Sequence, residues 1–360
     1  MITATNSPRF LLIQTAFIGD VILATALLEQ LHAVYPDAVL DVLVRKGNES
    51  LLTNHPFLNE VLVWDKKKAK YPNLWRLLKT IRSRTYTVVI NLQRFGATGM
   101  LTALSGAETT VGFAKNPFAK FFTIQIEHRF EGGLHEVDRN AEMVTALEGV
   151  TSLQSRSSMH QLVDWPGLAQ LAVTRPKLYP SEADYKTIKA YQNQLYVCIA
   201  PMSVWFTKQY PAERWTELIR ALPDGLTIYL LGAPTDVTAC EAIRTAIGGK
   251  KQIVNLAGTL SLLQSAALQQ GAEMNYVNDS APLHLCSAMN APTTAIFCST
   301  VPEFGFGPLA DVSRVVQTPE RLDCKPCNLH GQTACPLGHF RCAWGIRVDE
   351  LAQLNWGSEE

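Results

Sequence analysis

The chain has 360 residues, with 32 Lys and Arg balancing 32 Asp and Glu, so no global field draws it to nucleic acid or to an acidic membrane, and any such preference must be local. At 47% hydrophobic and 18% charged it is a folded globular protein with room for two domains, each able to bury its own core. No apolar run reaches the roughly 18 residues that span a bilayer. Residues Met1 to Pro8 lack the basic and apolar stretches of a signal peptide, which leads us to expect a cytoplasmic protein that at most rests on a membrane.

The first half alternates strand and helix patterns. Arg9–Gln14 reads as a buried strand, Val21–Val34 as a helix, and Val39–Val44 and Val61–Trp64 as strands. Leu74–Ser83 is an amphipathic helix with Leu74, Leu77, Leu78 and Ile81 on one face. Strand Thr87–Leu92, helix Gly99–Ser105, short strand Thr110–Gly112 and helix His135–Leu147 complete this half. Segment Glu148–Pro180, punctuated by Ser, Gln and Pro, fits a connection between domains. The pattern then restarts with strand Tyr196–Ala200, helix Ala212–Ala221, strand Thr227–Leu231 and helix Val237–Ile247. Strand Ile253–Asn255, helix Leu260–Gln270, strand Met274–Val277, helix Pro282–Met289 and strand Thr293–Phe297 follow, with a last helix at Val348–Gln353 that could pack back across the domains. Two such sets imply two doubly wound parallel α/β domains, with ligands at the carboxyl ends of their strands and a cleft between the domains.

The chemistry-bearing residues cluster at those strand ends. Asn278-Asp279-Ser280-Ala281 joins a strand to a helix N-terminus whose free N–H groups suit a diphosphate; Asp279 or Ser280 can cap that helix, and His284 lies on its first turn. Ser203, Thr207 and Lys208 supply two hydroxyls and one ammonium after strand Tyr196–Ala200, the donors and charge a diphosphate needs; a solvated loop explains them equally well. Asp236 follows another strand and is either an N-cap or an acceptor for ribose hydroxyls. Asp20, after Gly19 at the first strand-to-helix turn, is either an N-cap or a general base for an acceptor hydroxyl.

Lys66, Lys67, Lys68, Lys70, Arg76, Lys79, Arg82 and Arg84 form an acid-free basic stretch. It is either a solvated face or a site for a phosphorylated or membrane-embedded anionic acceptor, with Trp64, Tyr71 and Trp75 as interfacial aromatics. Of the eight cysteines, Cys198, Cys240, Cys286 and Cys298 sit in apolar surroundings, whereas Cys324, Cys327, Cys335 and Cys342 cluster with His330 and His339. The first pair has zinc-knuckle spacing, so a structural zinc or a redox-labile thiol cluster that holds a C-terminal loop is one alternative to free thiols. No dinucleotide fingerprint and no P-loop occurs, which weighs against an NAD enzyme, a P-loop NTPase or a nucleotide-sugar epimerase.

Taken together, Ile18-Gly19-Asp20, Ser203 through Lys208 with Trp215, Asn255-Leu256-Ala257-Gly258, and Asn278 through His284 give the chain, from about Arg9 to Trp344, a resemblance to the ADP-heptose:lipopolysaccharide heptosyltransferases of glycosyltransferase family 9. The resemblance implies a GT-B fold, two facing Rossmann-like domains with a deep interdomain cleft: 1–175 for the acceptor, 176–345 for the nucleotide sugar, and 346–360 as helix and tail. It implies inverting transfer of a heptose from ADP-heptose to a phosphorylated, lipid-linked inner-core saccharide, with no cofactor required and peripheral contact with the inner face of the inner membrane. Within it Asp20 is the base. Ser203, Thr207 and Lys208 meet the diphosphate over a cradle from Ser280 and Ala281, Asp279 meets the donor sugar, and His284 lies beside the nucleotide. Asp236 meets the ribose, Leu260 the adenine, and Lys66, Lys67, Lys68, Lys70 and Arg76 the acceptor. Ala281 stands where the family usually has glycine, which bears on donor identity. A transferase using another nucleotide sugar and a catalytically silent nucleotide-binding assembly protein are the alternatives.

Overall fold

The computed structural model describes residues 7–68, 70–129, 133–154 and 175–353, with backbone alone for Lys70 and residues 148–154. Most of the connection expected at Glu148–Pro180, and the tail beyond 353, lie outside the described residues. The chain divides into two compact units, Met1–Tyr179 and Pro180–Glu360.

In the first unit the described elements are β1 (Arg9–Ile13), α1 (Ile18–Val34), β2 (Val39–Arg45), β3 (Leu58–Trp64), α2 (Lys70–Ser83), β4 (Val88–Asn91), α3 (Gly96–Ala103), β5 (Thr109–Phe113), β6 (Ile124–Ile126) and α4 (Glu136–Gln154). They build a six-stranded sheet in the order β3-β2-β1-β4-β5-β6. Apolar runs such as Phe10-Leu11-Leu12-Ile13 are buried throughout, as a parallel sheet covered by helices on both faces requires. Leu74, Leu77, Leu78 and Ile81, the expected face of α2, pack onto Leu11, Ile13, Leu43 and Trp64. Buried Asp41 knits one edge, accepting from Arg9 (2.9 Å) and from the Tyr86 hydroxyl (2.7 Å).

The second unit opens with α5 (Glu182–Ile188), which Ser181 and Asp184 start with a reciprocal capping box. Then come β7 (Tyr196–Ala200), α6 (Ala212–Ala221), β8 (Thr227–Leu230), α7 (Val237–Ile247), β9 (Gln252–Asn255), α8 (Leu262–Gln270), β10 (Met274–Asn278), α9 (Ala281–Met289), β11 (Thr293–Ile296), β12 (Ser313–Val316), α10 (Arg341–Trp344) and α11 (Val348–Ala352). Its sheet, in the order β12-β11-β10-β7-β8-β9, has the topology of the first, and every described pairing in both sheets is parallel. Helix α11 packs on α6 of its own unit and buries Leu351 in a core with Trp215, Leu218 and Ile228.

In each unit the strand order reverses beside the first strand, between β1 and β4 and between β7 and β10. Loops leaving adjacent strands diverge there, which opens a crevice at the carboxyl edge. Asp20 follows β1, the Lys208 segment follows β7, and Asp279 follows β10.

Candidate active site

In the second unit the two loops at the switch point are bound together. Lys208 ends a single 3-10 turn, Phe206–Lys208, and its Nζ lies 2.7 Å from Asp279 Oδ2, with both side chains largely buried. The Thr300 hydroxyl donates to the same carboxylate oxygen at 2.6 Å. Asn278, fully buried at the end of β10, donates from Nδ2 to Pro201 O (2.8 Å) and accepts the Tyr210 N–H at Oδ1 (3.0 Å), so both ends of the Lys208 loop are pinned to β10.

Ser280 occupies the N-cap position of α9, yet no side chain caps that helix: the Ser280 hydroxyl turns back to Asn278 O at 3.4 Å, and Asp279 is engaged by Lys208. The capping expected from Asp279 or Ser280 is therefore not formed. Ala281 follows, half-buried, and His284 is buried with its ring 6.3 Å from that of Phe306. Ser203 is half-buried, and its carbonyl accepts from Gln209 Nε2 at 2.6 Å. Thr207, expected at the diphosphate, is wholly enclosed. Its hydroxyl accepts from Gln332 N–H (2.8 Å) and from the Ser299 hydroxyl (3.0 Å), so it holds the turn from inside.

On the neighbouring strands, Asp236 closes the 3-10 turn Pro234–Asp236 and accepts the Ala233 N–H at 2.8 Å; it stands at the N-cap of α7, but its side chain makes no capping hydrogen bond to that helix. Leu260 lies one residue before Ser261, whose side chain caps α8, so that helix begins at Leu262 and not at Leu260. The Gly258 N–H donates to Gly232 O at 2.9 Å and ties the two loops together. Gly258 has φ +70 and approaches Pro234 so closely that a Cβ there would lie 2.8 Å from Pro234 Cα.

In the first unit α1 begins at Ile18, which places Asp20 inside the first turn. Its Oδ2 accepts the Phe17 N–H at 3.1 Å, so the capping role is filled and the carboxylate is oriented by it. Glu136, on the first turn of α4, is buried beside it, and α4 packs on α1. Burial pushes the Glu136 carboxyl up; Arg139, bonded to it at 2.7 and 3.0 Å, pulls it down, and the Asp20 charge adds to the rise. Burial, helped by Arg94, Arg139 and Lys115, lowers His128 from 6.5 to about 4. Sequence reasoning missed this cationic surrounding because its three members come from the loops after β4 and β5 and from α4. Thr300 and Ser299 were missed for the same reason, since they follow β11, and Asn278 was read as part of the strand-end run without its role as a pin for the Lys208 loop.

The basic stretch divides. Lys66 turns inward: its Nζ donates to Thr15 O at 2.7 Å and sits 4.9 Å from the Trp64 ring centroid. Arg84 pairs with Glu60 and Asp41. Lys67 and Lys68 remain exposed on a turn whose N–H groups bind Asp65 Oδ1, and Arg76 is exposed on α2 beside exposed Tyr71 and Trp75. The Lys70 side chain lies outside the described residues.

The zinc expectation is corrected. Among the described residues no three His, Cys, Asp or Glu side chains converge to hold a metal ion. Cys324 Sγ lies 3.9 Å from His339 Nε2, but Cys342 is buried in the apolar core, which pushes its thiol up to about 11, and Cys335 packs against that same core.

Residues 74–335 match the model of glycosyltransferase family 9 (heptosyltransferase). Over 299 residues the chain is 26% identical to lipopolysaccharide heptosyltransferase 3 of Escherichia coli, covering 79% of this chain and 82% of that one. It is 23% identical over 321 residues to lipopolysaccharide heptosyltransferase 2 of Escherichia coli K12, covering 86% and 88%. Among solved structures, the Escherichia coli ADP-heptose LPS heptosyltransferase II superposes with a TM-score of 0.71 at 21% identity, covering 89% of this chain and 95% of the other. That likeness establishes the shared α/β fold of two parallel sheets.

Proposed function

The chain belongs to glycosyltransferase family 9, the heptosyltransferases, and from that premise we propose that it moves a heptose from ADP-heptose, with inversion, to a phosphorylated, lipid-linked sugar of the lipopolysaccharide inner core. The observation that carries this reading is the buried Lys208–Asp279 pair at a switch point, next to a helix N-terminus that no side chain caps. A leaving diphosphate needs a cation and oriented N–H donors, and both stand where the loops after β7 and β10 are paired.

The chemistry divides between the units. An acceptor hydroxyl oxygen attacks the anomeric carbon, the bond from that carbon to the diphosphate breaks, and ADP departs with the electron pair. Asp20, oriented by the Phe17 N–H, takes the hydroxyl proton. Lys208 and the start of α9 meet the diphosphate, Asp279 the donor sugar, Asp236 the ribose and Leu260 the adenine, with Ser203, Ala281 and His284 around them. Thr207 serves as an internal brace for the Lys208 turn. Lys67, Lys68 and Arg76, flanked by Tyr71 and Trp75, meet the phosphorylated acceptor at a membrane surface.

Titration with ADP, UDP and GDP, together with turnover of ADP-heptose, tests the reading. ADP alone should bind, and Lys208→Ala should weaken it. Asp20→Asn should keep ADP affinity and lose about a hundredfold to ten-thousandfold in kcat. Preference for UDP or GDP would replace the donor, and full activity of Asp20→Asn would remove the base.

A further inference from the structure

We propose that the cysteine-rich loop, residues 323–340, positions the donor lysine, with Gly331 as the specific contact. This rests on the reading that Lys208 meets the donor diphosphate. The loop is stitched to the site along its length. Lys325 Nζ donates to Phe297 O at 2.9 Å, the Cys327 N–H donates to Ser299 O at 3.0 Å, and the Thr207 N–H donates to Gln332 O at 3.1 Å while Thr207 Oγ1 accepts the Gln332 N–H at 2.8 Å. The same stretch after β11 supplies Ser299 to Thr207 and Thr300 to Asp279, so both members of the Lys208–Asp279 pair are braced from one side.

Gly331 is where the loop touches the lysine itself. Its φ of +81 is a left-handed conformation, and a Cβ placed there would come within 2.8 Å of Lys208 Cγ, 3.0 Å of its Cδ and 3.0 Å of Trp205 Cβ. These are stem atoms, which cannot swing aside as the ammonium end can. A lysine has a flexible four-carbon stem, and a backbone wall against that stem confines the directions in which Nζ can point. The loop's absence of side chain at this one residue is thus a fitted feature of the donor site.

Gly338, in the same loop, supplies the control: its φ is +71, and nothing lies within 4 Å of its Cβ position. Gly331→Ala and Gly338→Ala therefore impose similar backbone strain, while only the first displaces Lys208. Titration of the full chain with ADP and with adenosine, with thermal unfolding run alongside, separates the two. Gly331→Ala should weaken ADP by about tenfold to a hundredfold, in proportion to a misplaced charge. It should spare adenosine, which carries no diphosphate, and Gly338→Ala should leave both near wild type. Equal loss in the two variants, or equal loss of ADP and adenosine, overturns the proposal in favour of general loop stability. Should Gly331→Ala not fold, Thr207→Val, which removes a wholly buried hydroxyl that the loop grips, should show the same selective loss of ADP, and unchanged ADP affinity there overturns the proposal. Lys208→Ala distinguishes the levels: if it leaves ADP affinity intact, the donor-site reading falls and the inference with it.

Discussion

At the scale of single residues, His55 shows how burial sets a protonation state. Its side chain is enclosed by the rings of Phe57 and Tyr179, whose centroids lie 4.4 and 4.8 Å away. Glu29, 3.8 Å away, is already bound by the Tyr179 hydroxyl at 2.6 Å and by Lys177 at 3.0 Å, so it does not rescue a charged imidazole. Burial, with His32 and Lys177 adding repulsion, lowers the pKa from 6.5 to about 4. Because the folded value lies below the unfolded one, the unfolded chain binds the extra proton. Stability is therefore full above pH 6.5 and falls as pH drops from 6.5 toward about 4, by about 3 kcal/mol for this group. His128, also lowered to about 4, adds a similar share. Thermal unfolding of His55→Gln across that window should show roughly half the acid sensitivity of the wild type; an unchanged slope would place the acid lability elsewhere. Residue identity alone made Lys208 and Asp279 legible as candidates, because each follows a buried strand. Their pairing was not legible, since it depends on β7 and β10 being neighbours.

At the scale of elements, long apolar strands and helices with a clear period were readable, and Ala212–Ala221 and Val237–Ile247 fall where their spacing puts them. The elements that escaped are short or lie at sheet edges. β6 is three residues long with an exposed Gln125, β12 alternates weakly at Ser313-Arg314-Val315-Val316, and α5 is brief, although Ser181 and Asp184 carry a capping signal that could have found it. Helix ends were misplaced where capping decides them, at Ser261 and at Phe17. Helix α2 shows a second limit: a run of basic residues reads as one feature, but folding spends Lys66 and Arg84 on internal partners and leaves Lys67, Lys68 and Arg76 outside. Among the described residues no helix is long and apolar enough to cross a membrane. Each exposed cation near an anionic surface contributes about 1 kcal/mol, so replacing these three by alanine should weaken binding to phosphatidylglycerol vesicles by about a hundredfold. Trp75→Ala should weaken it further at high salt, where charge is screened. Equal binding of the triple variant and the wild type would show that this face does not meet lipid.

At the scale of the molecule, the two units repeat one strand order, and each closes its own apolar core: Leu11, Leu43 and Trp64 in the first, Val197, Trp215 and Ile228 in the second. That repetition was legible from the restart of the strand–helix pattern after the connection. A chain built this way should tolerate division. Residues 180–353 produced alone should unfold in a single cooperative transition and bind ADP nearly as well as the whole chain. A fragment that fails to fold would show that the second unit depends on the first for stability, and one that folds without binding ADP would show that its own residues do not suffice for the nucleotide. The matched strand order carries a consequence for descent as well. Because each sheet draws its strands from one unit, and the boundary falls at a single peptide between Tyr179 and Pro180, a crossover there would leave every ladder whole. The halves are then recombinable cassettes, and a lineage could exchange either one while inheriting the sheet of the other untouched.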